Sequence, residues 1–215
     1  MTPDPRPLVF VGAGGHAREI LALIDDLNAA APAWRVQALL VDPEFHRPGQ
    51  QVRGLPVLAG FQTLADRPGL ALVIAVGDPA ARLALHERSP GGELVTLVHP
   101  RAWVATGARL GAGCQLMAGA MVNADATLDE LVILNLGASV SHDCRLGRGV
   151  TLGPGARLAG GVEVGEGAEL GMGAQVLPRV RIGARAVIGA GAVVTRDVPD
   201  DALAVGVPAR VRARG

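Results

Sequence analysis

The chain contains no tyrosine, and its 2 tryptophans and 3 phenylalanines make up only 2 % of 215 residues. Cysteine is nearly as scarce: 2 residues in this length do not make a disulfide scaffold. Long hydrophobic runs are missing too. The most apolar stretches, such as ALVIAV at 71–76, fall far short of the ~20 residues that cross a bilayer. The opening, MTPDPRPLVFVG, lacks the charged-then-apolar layout of a signal peptide. Nor is there an excess of either charge. Twenty basic and 20 acidic side chains give a formal net charge of zero, which argues against a general nucleic-acid binder, since that would need a basic face. These absences lead us to expect a soluble, cytoplasmic protein with neither nucleic acid nor membrane as partner. The length suits one or two domains with a real core.

What the chain has in abundance is glycine, 30 residues, at a mean hydropathy of +0.33. So much glycine without the polarity of a disordered chain implies an ordered backbone with many tight corners, and a repeat is the first thing to look for. From Val98, every sixth residue is Val, Leu or Ile through Val194, 17 positions without a slip. Two residues before each stands a small or β-branched residue, among them Ala102, Cys114, Ala120, Cys144 and Ala192. Glycine often follows the aliphatic, as at Gly111, Gly147, Gly153, Gly165 and Gly183.

A period of six fits neither helix nor hairpin. It fits a parallel β-solenoid of short flat strands and sharp corners. The aliphatic points inward, the small residue sits inside the corner, and the glycine is expected to relieve the turn. Three hexads make a coil of ~18 residues, so the repeat holds between five and six coils.

Within this register, ASVSHDCRLG (138–147) places a histidine, an aspartate and a cysteine in a row. Metal ligation, a thiol nucleophile and a histidine base are the competing readings. Cys144 takes the small inward position, as Cys114 does, and both read as buried small hydrophobes on different faces. His142 falls two residues after Val140 and should point outward. An acidic neighbour can orient an imidazole and tune it as a base, but direct contact between His142 and Asp143 requires a corner between them. Asn135 stands seven residues earlier. For a three-histidine zinc site the repeat is too poor, with only His99 and His142.

The first hundred residues read as an alternating α/β unit with a parallel sheet. Leu8 to Val11 is a strand, Gly12 to Gly15 a glycine turn, and Ala17 to Asn28 an amphipathic helix. Strands follow at 36–42 and 71–78, then a helix at 79–88. Gly12, Gly14 and Ala17 approximate the dinucleotide fingerprint, but Asp42 comes late for a ribose-binding acid and no second half follows. A half-Rossmann unit that offers a helix N-terminus to a nucleotide diphosphate fits the length better than a full NAD site. The expected organisation is an α/β domain at 1–97 and a solenoid with a C-terminal tail at 98–215.

The hexads and the tail VVTRDVPDDALAVGVPARV (193–211) resemble the hexapeptide-repeat acyltransferases, whose solenoid is a left-handed parallel β-helix. Together with VGAGGHAREI, VDP, AVGD, VHPRA and SHDCRLG, the resemblance narrows to bacterial acetyltransferases of nucleotide-linked 4-amino sugars. These are of the bacillosamine and perosamine type, with sialic acid O-acetyltransferases among their relatives. The resemblance implies a homotrimer that uses acetyl-CoA as co-substrate, without a metal, in the synthesis of bacterial surface glycans such as lipopolysaccharide. It implies His142 as catalytic base and Asp143 as its acidic partner, Asn135 near the acceptor sugar, and Gly160 as a backbone donor to the thioester carbonyl. Gly12, Gly14, His16 and Asp42 would line the nucleotide-sugar cleft. Thr151 stands on the acetyl-CoA side where relatives often carry a second histidine, so a scheme with two histidines does not transfer. O-acetylation of a sugar of the sialic acid type and a non-catalytic scaffold are the two other classes of function.

Overall fold

The computed structural model describes residues 4–61, 70–89 and 91–212. The chain divides into two compact units between Val95 and Thr96.

In the first unit, β1 (Arg6–Val11) leads through the glycine turn into α1 (Gly15–Ala30), then β2 (Trp34–Val41) and a 3-10 turn at Pro43–Phe45. A hairpin follows, β3 (Gln51–Val52) with β4 (Leu55–Ala59), and then β5 (Ala71–Ile74), α2 (Pro79–Arg88) and β6 (Glu93–Leu94). The sheet order is β3-β4-β2-β1-β5-β6, parallel throughout except for the β3–β4 pair. β1 lies inside the sheet, so its Leu8, Val9, Phe10 and Val11 are all buried, as a continuous apolar run in a covered parallel sheet requires. α1 packs Ala17, Ile20, Leu21, Leu23 and Ile24 inward. It extends two residues beyond the expected span at each end. Asn28, near its C-terminus, stitches the helix to β2: its Oδ1 accepts from the N–H of Ala33 at 3.0 Å and of Trp34 at 2.9 Å. α2 starts where Asp78 accepts the Ala81 N–H at 2.7 Å with Pro79 in the first turn, a standard N-terminal arrangement.

The hairpin is not anticipated by sequence. Its turn residues, Arg53 and Gly54, both have positive φ (52° and 80°), as a two-residue hairpin turn needs. Arg-Gly is not one of the strong hairpin dipeptides, however, and Pro56 breaks the strand pattern. The turn is tied to α1 by an Arg53–Asp25 ion pair at 2.6 Å.

The second unit is the expected solenoid. Seventeen two-residue strands between Leu97 and Val194 form three parallel ladders, each strand pairing with the one 18 residues later, as Gln115 with Ile133. The first face begins at Leu97–Val98, the second at Trp103–Val104 and the third at Arg109–Leu110. The first ladder is continued by Leu203–Val205, against which Arg210–Arg212 folds antiparallel. The interior is a stack of the aliphatic and small positions, including Leu116, Ala120, Val122, Ala138, Val140, Cys144 and Leu146, all almost fully buried. No helix among the described residues is long and apolar enough to cross a membrane.

One expectation is corrected. The glycine after each aliphatic does not supply the left-handed turn. Gly147, Gly153 and Gly165 have ordinary φ, and a Cβ there would meet the next coil's backbone at 2.8, 2.9 and 2.5 Å. Close approach of stacked coils excludes the side chain. Left-handed backbone occurs two residues further on, for example at Gly113, Gly149, Gly155 and Gly167.

Candidate active site

His142 stands at the corner that follows the second-face strand Ser139–Val140. The turn places Asp143 at a left-handed φ of 60°, a conformation that short polar side chains tolerate better than most. The corner is held on both sides by backbone rungs, Asp143 N–H to Ala124 O at 3.2 Å and Gly161 N–H to His142 O at 2.9 Å. This conformation supplies the corner that direct contact needs. His142 Nδ1 lies 2.7 Å from Asp143 Oδ2, with both side chains about two-thirds exposed (64 % and 66 %). A carboxylate only accepts, so Nδ1 carries the hydrogen of this bond, and in a neutral ring the lone pair is then on Nε2.

Gly160 sits one coil on, directly against this imidazole. A Cβ on Gly160 would lie 2.5 Å from both Nε2 and Cε1 of His142. Its φ is not left-handed, so the glycine is required by the ring. Among the described residues no acceptor bonds its N–H, while its C=O accepts from Arg179 N–H at 3.0 Å. His142, Asp143 and Gly160 therefore form one cluster: an oriented base and an available backbone donor.

The other solenoid candidates lie elsewhere. Asn135 is at the preceding corner, where its Oδ1 accepts the Leu136 N–H at 2.7 Å. Thr151 is on the first face, 8 % exposed, and is not brought to the His142 corner of its own chain. Cys144 points inward and donates to Ala159 O at 3.1 Å. Burial, foremost, pushes its thiol pKa up. Cys114 is likewise buried, on the first face, and neither cysteine is in a disulfide. Among the described residues no three His, Cys, Asp or Glu side chains gather as a metal site would need. A groove of about 780 Å³ runs along the third face beside residues 197–200, and His142 does not line it.

The first unit contains its own cavity of about 350 Å³. Gly12, Ala13, Gly14, Asp42, Phe45, Gln50, Phe61 and Leu85 are among its lining. Gly12, Gly14 and Asp42 are thus brought together. Gly12 has φ 111°, and a Cβ there would meet Val76 Cγ2 at 2.7 Å, so it is glycine for the sake of the fold. Gly14 differs on both counts. It caps α1 with φ −82° and has nothing within 4 Å of a built Cβ, so it is open towards the cavity and not left-handed. The first N–H groups of α1 can meet an anion there. His16 is not in the lining; its Nδ1 lies 3.1 Å from Glu19 Oε2.

Several residues escape sequence reasoning. One is Arg88, whose two terminal nitrogens hold the expected Asp42, 13 % exposed, with Nη1 donating at 3.1 Å. That hydrogen bond, foremost, raises the arginine pKa. Arg88 also lies over the Phe61 ring, 5.8 Å from its centroid. Arg82 is fully buried and donates to the carbonyls of Val76 at 2.9 Å and Gly77 at 2.7 Å, which fixes the strand end against which Gly12 packs. An arginine within a helix gives no sign of this in sequence.

Residues 7–89 match the PglD N-terminal domain family, and residues 161–196 match the bacterial transferase hexapeptide (six repeats) family. No protein of curated function matches the chain. Among solved structures, PerB of Caulobacter crescentus, in complex with CoA and GDP-perosamine, is 41 % identical. The match covers 96 % of this chain and 97 % of that one, with a TM-score of 0.85. A variant of that GDP-perosamine N-acetyltransferase with one histidine replaced by alanine binds the same two ligands. The acetyltransferase domain of PglB from Neisseria gonorrhoeae, in complex with acetyl coenzyme A, is 32 % identical over 97 % of this chain and 100 % of that one, with a TM-score of 0.84. WeeI of Acinetobacter baumannii is 25 % identical, covering 96 % and 99 %, at 0.82.

Proposed function

Since the chain belongs to the hexapeptide-repeat sugar acetyltransferases that carry a PglD-type N-terminal domain, and is an acyltransferase, we propose that it moves the acetyl group of acetyl-CoA onto the amine of a nucleotide-linked 4-amino sugar. The observation that carries this reading is the His142–Asp143 pair at 2.7 Å with Gly160 beneath the ring. The amine attacks the thioester carbonyl while His142 Nε2 accepts its proton. Asp143 holds the ring through Nδ1 and stabilises the imidazolium. The carbonyl oxygen, as it becomes negative, takes a hydrogen bond from Gly160 N–H. Attack forms the C–N bond; collapse of the tetrahedral oxyanion restores the C=O, breaks the C–S bond and releases the CoA thiolate, which takes the proton from His142. Binding both substrates in one site contributes much of the rate.

The N-terminal cavity takes the nucleotide sugar, with its diphosphate at the start of α1. Asn135 contacts the sugar, and Thr151 serves the acetyl-CoA side from a neighbouring copy in a homotrimer. Co-crystallisation of the 41 % identical relative with CoA and GDP-perosamine supports an acceptor of this class. The product enters a bacterial surface glycan, and the enzyme works in the cytoplasm. The direct test offers acetyl-CoA with 4-amino sugars linked to GDP, UDP and dTDP, and follows both CoA release and product mass. One of these should gain an acetyl group on nitrogen. Acetylation of free sialic acid on oxygen, with none of the three amino sugars modified, would replace this reading with the O-acetyltransferase one.

A further inference from the structure

In a chain with 3 phenylalanines, Phe10 belongs to the sheet core and the other two line a single cavity. Phe45 leaves 67 % of its surface exposed there, an unfavourable placement for an aromatic ring that meets nothing. Phe61 is buried, with Arg88 over its ring. The same lining includes Gln50, whose Oε1 is buried and has no hydrogen-bond partner among the described residues. A buried acceptor without a donor costs about 1–3 kcal/mol unless something fills the need.

Gln50 is not a floppy surface residue. Its N–H donates to Arg47 O at 3.0 Å, and its C=O accepts from Val57 N–H at 3.0 Å. It enters the hairpin β3–β4, which the Arg53–Asp25 pair anchors to α1. The side chain is therefore aimed by a fixed backbone.

We propose that the Phe45, Gln50 and Phe61 end of this cavity is a nucleobase subsite, and that Gln50 reads the hydrogen-bonding edge of the base. The assignment rests on the nucleotide-sugar reading given above. A base has an apolar face for the rings and a rim of adjacent donors and acceptors that an amide can match. The open N-terminus of α1 at Gly14 takes the diphosphate at the glycine-turn end of the same cavity. Phe45 supplies contact that any base can use, and Gln50 supplies the discrimination.

Calorimetry on the full-length protein with GDP, UDP, dTDP and ADP tests this, with acetyl-CoA binding as the control for folding. The wild type should prefer one of the four. Gln50→Leu should weaken that one by about 10- to 100-fold and level it with the others, because an unmatched polar edge is then buried against a methyl group. Phe45→Ala should weaken all four alike. Gln50→Glu, which keeps the length but offers no donor, should reorder the preference, and it carries the test if the leucine variant fails to fold. A Gln50→Leu protein, or failing that a Gln50→Glu protein, with wild-type affinities and ranking would overturn the assignment and leave the nucleotide-sugar reading intact. A wild type that binds all four equally would do the same. A wild type that binds none of them would overturn both.

Discussion

At the corner after Val140 the left-handed residue is Asp143, where ten other positions of this kind in the solenoid are glycine. Turn geometry alone would favour glycine there as well, by about 1 kcal/mol. Asp143→Gly therefore separates the two roles. The variant should be as stable as the wild type or slightly more so, yet turnover should fall, because the imidazole loses the group that orients it. Unchanged turnover in Asp143→Gly would make the aspartate a turn residue only. Gly160 has the converse logic. Gly160→Ala places a methyl 2.5 Å from two ring atoms of an exposed histidine that can move, so the protein should melt near the wild-type temperature. A base displaced by about 1 Å can cost on the order of 100-fold in rate, and steady-state kinetics beside a thermal melt reads both effects. Cys144 supplies the contrast within the same turn. Cys144→Ala should retain nearly full activity and lose about 1 kcal/mol through missing volume. Its raised thiol pKa means less thiolate at neutral pH. Alkylation should therefore be slow in the folded protein and fast once it is unfolded.

Among the elements, the solenoid was the most legible, because a coil that buries one aliphatic per strand leaves a period of six in the chain. The inward cysteines, the outward histidine and the separate faces of Cys114 and Cys144 all follow from that register. Glycine was misread for a physical reason. Composition shows that corners need it but not whether the need is for φ or for space. The two kinds should respond differently to a methyl group. Gly165→Ala drives a Cβ to 2.5 Å from Ala184 N and should cost about 1–3 kcal/mol as overpacking against backbone. Gly149→Ala, at φ 69°, should cost about 1–2 kcal/mol through conformation alone. Denaturant melts distinguish them: substitution by Asn should rescue position 149 and worsen position 165. In the first unit, the strand–turn–helix pattern was readable because β1 is an unbroken apolar run and α1 has a buried face. The hairpin β3–β4 was not, being two short strands around Arg53-Gly54 with a proline inside. Gln50, which opens it, was lost with it, and Arg88 was invisible because its partner Asp42 lies 46 residues away.

For the whole molecule, the proposed reaction draws on a feature of each unit taken by itself: a cavity at a helix N-terminus in one, and the His142–Asp143 pair with Gly160 in the other. In the proposed site Thr151 comes from an adjacent copy, since it lies on a different face from the His142 corner of its own chain. Sedimentation should find a trimer, and a fully active monomer would remove the shared site. The central claim is that His142 accepts the proton of the attacking amine. The measurement that tests it most directly is the turnover of His142→Ala under saturating acetyl-CoA and the preferred nucleotide-linked amino sugar, in protein that still assembles and binds both. The account predicts a loss of about 10²- to 10⁴-fold, the range of a positioned general base. Wild-type turnover in that variant would contradict it.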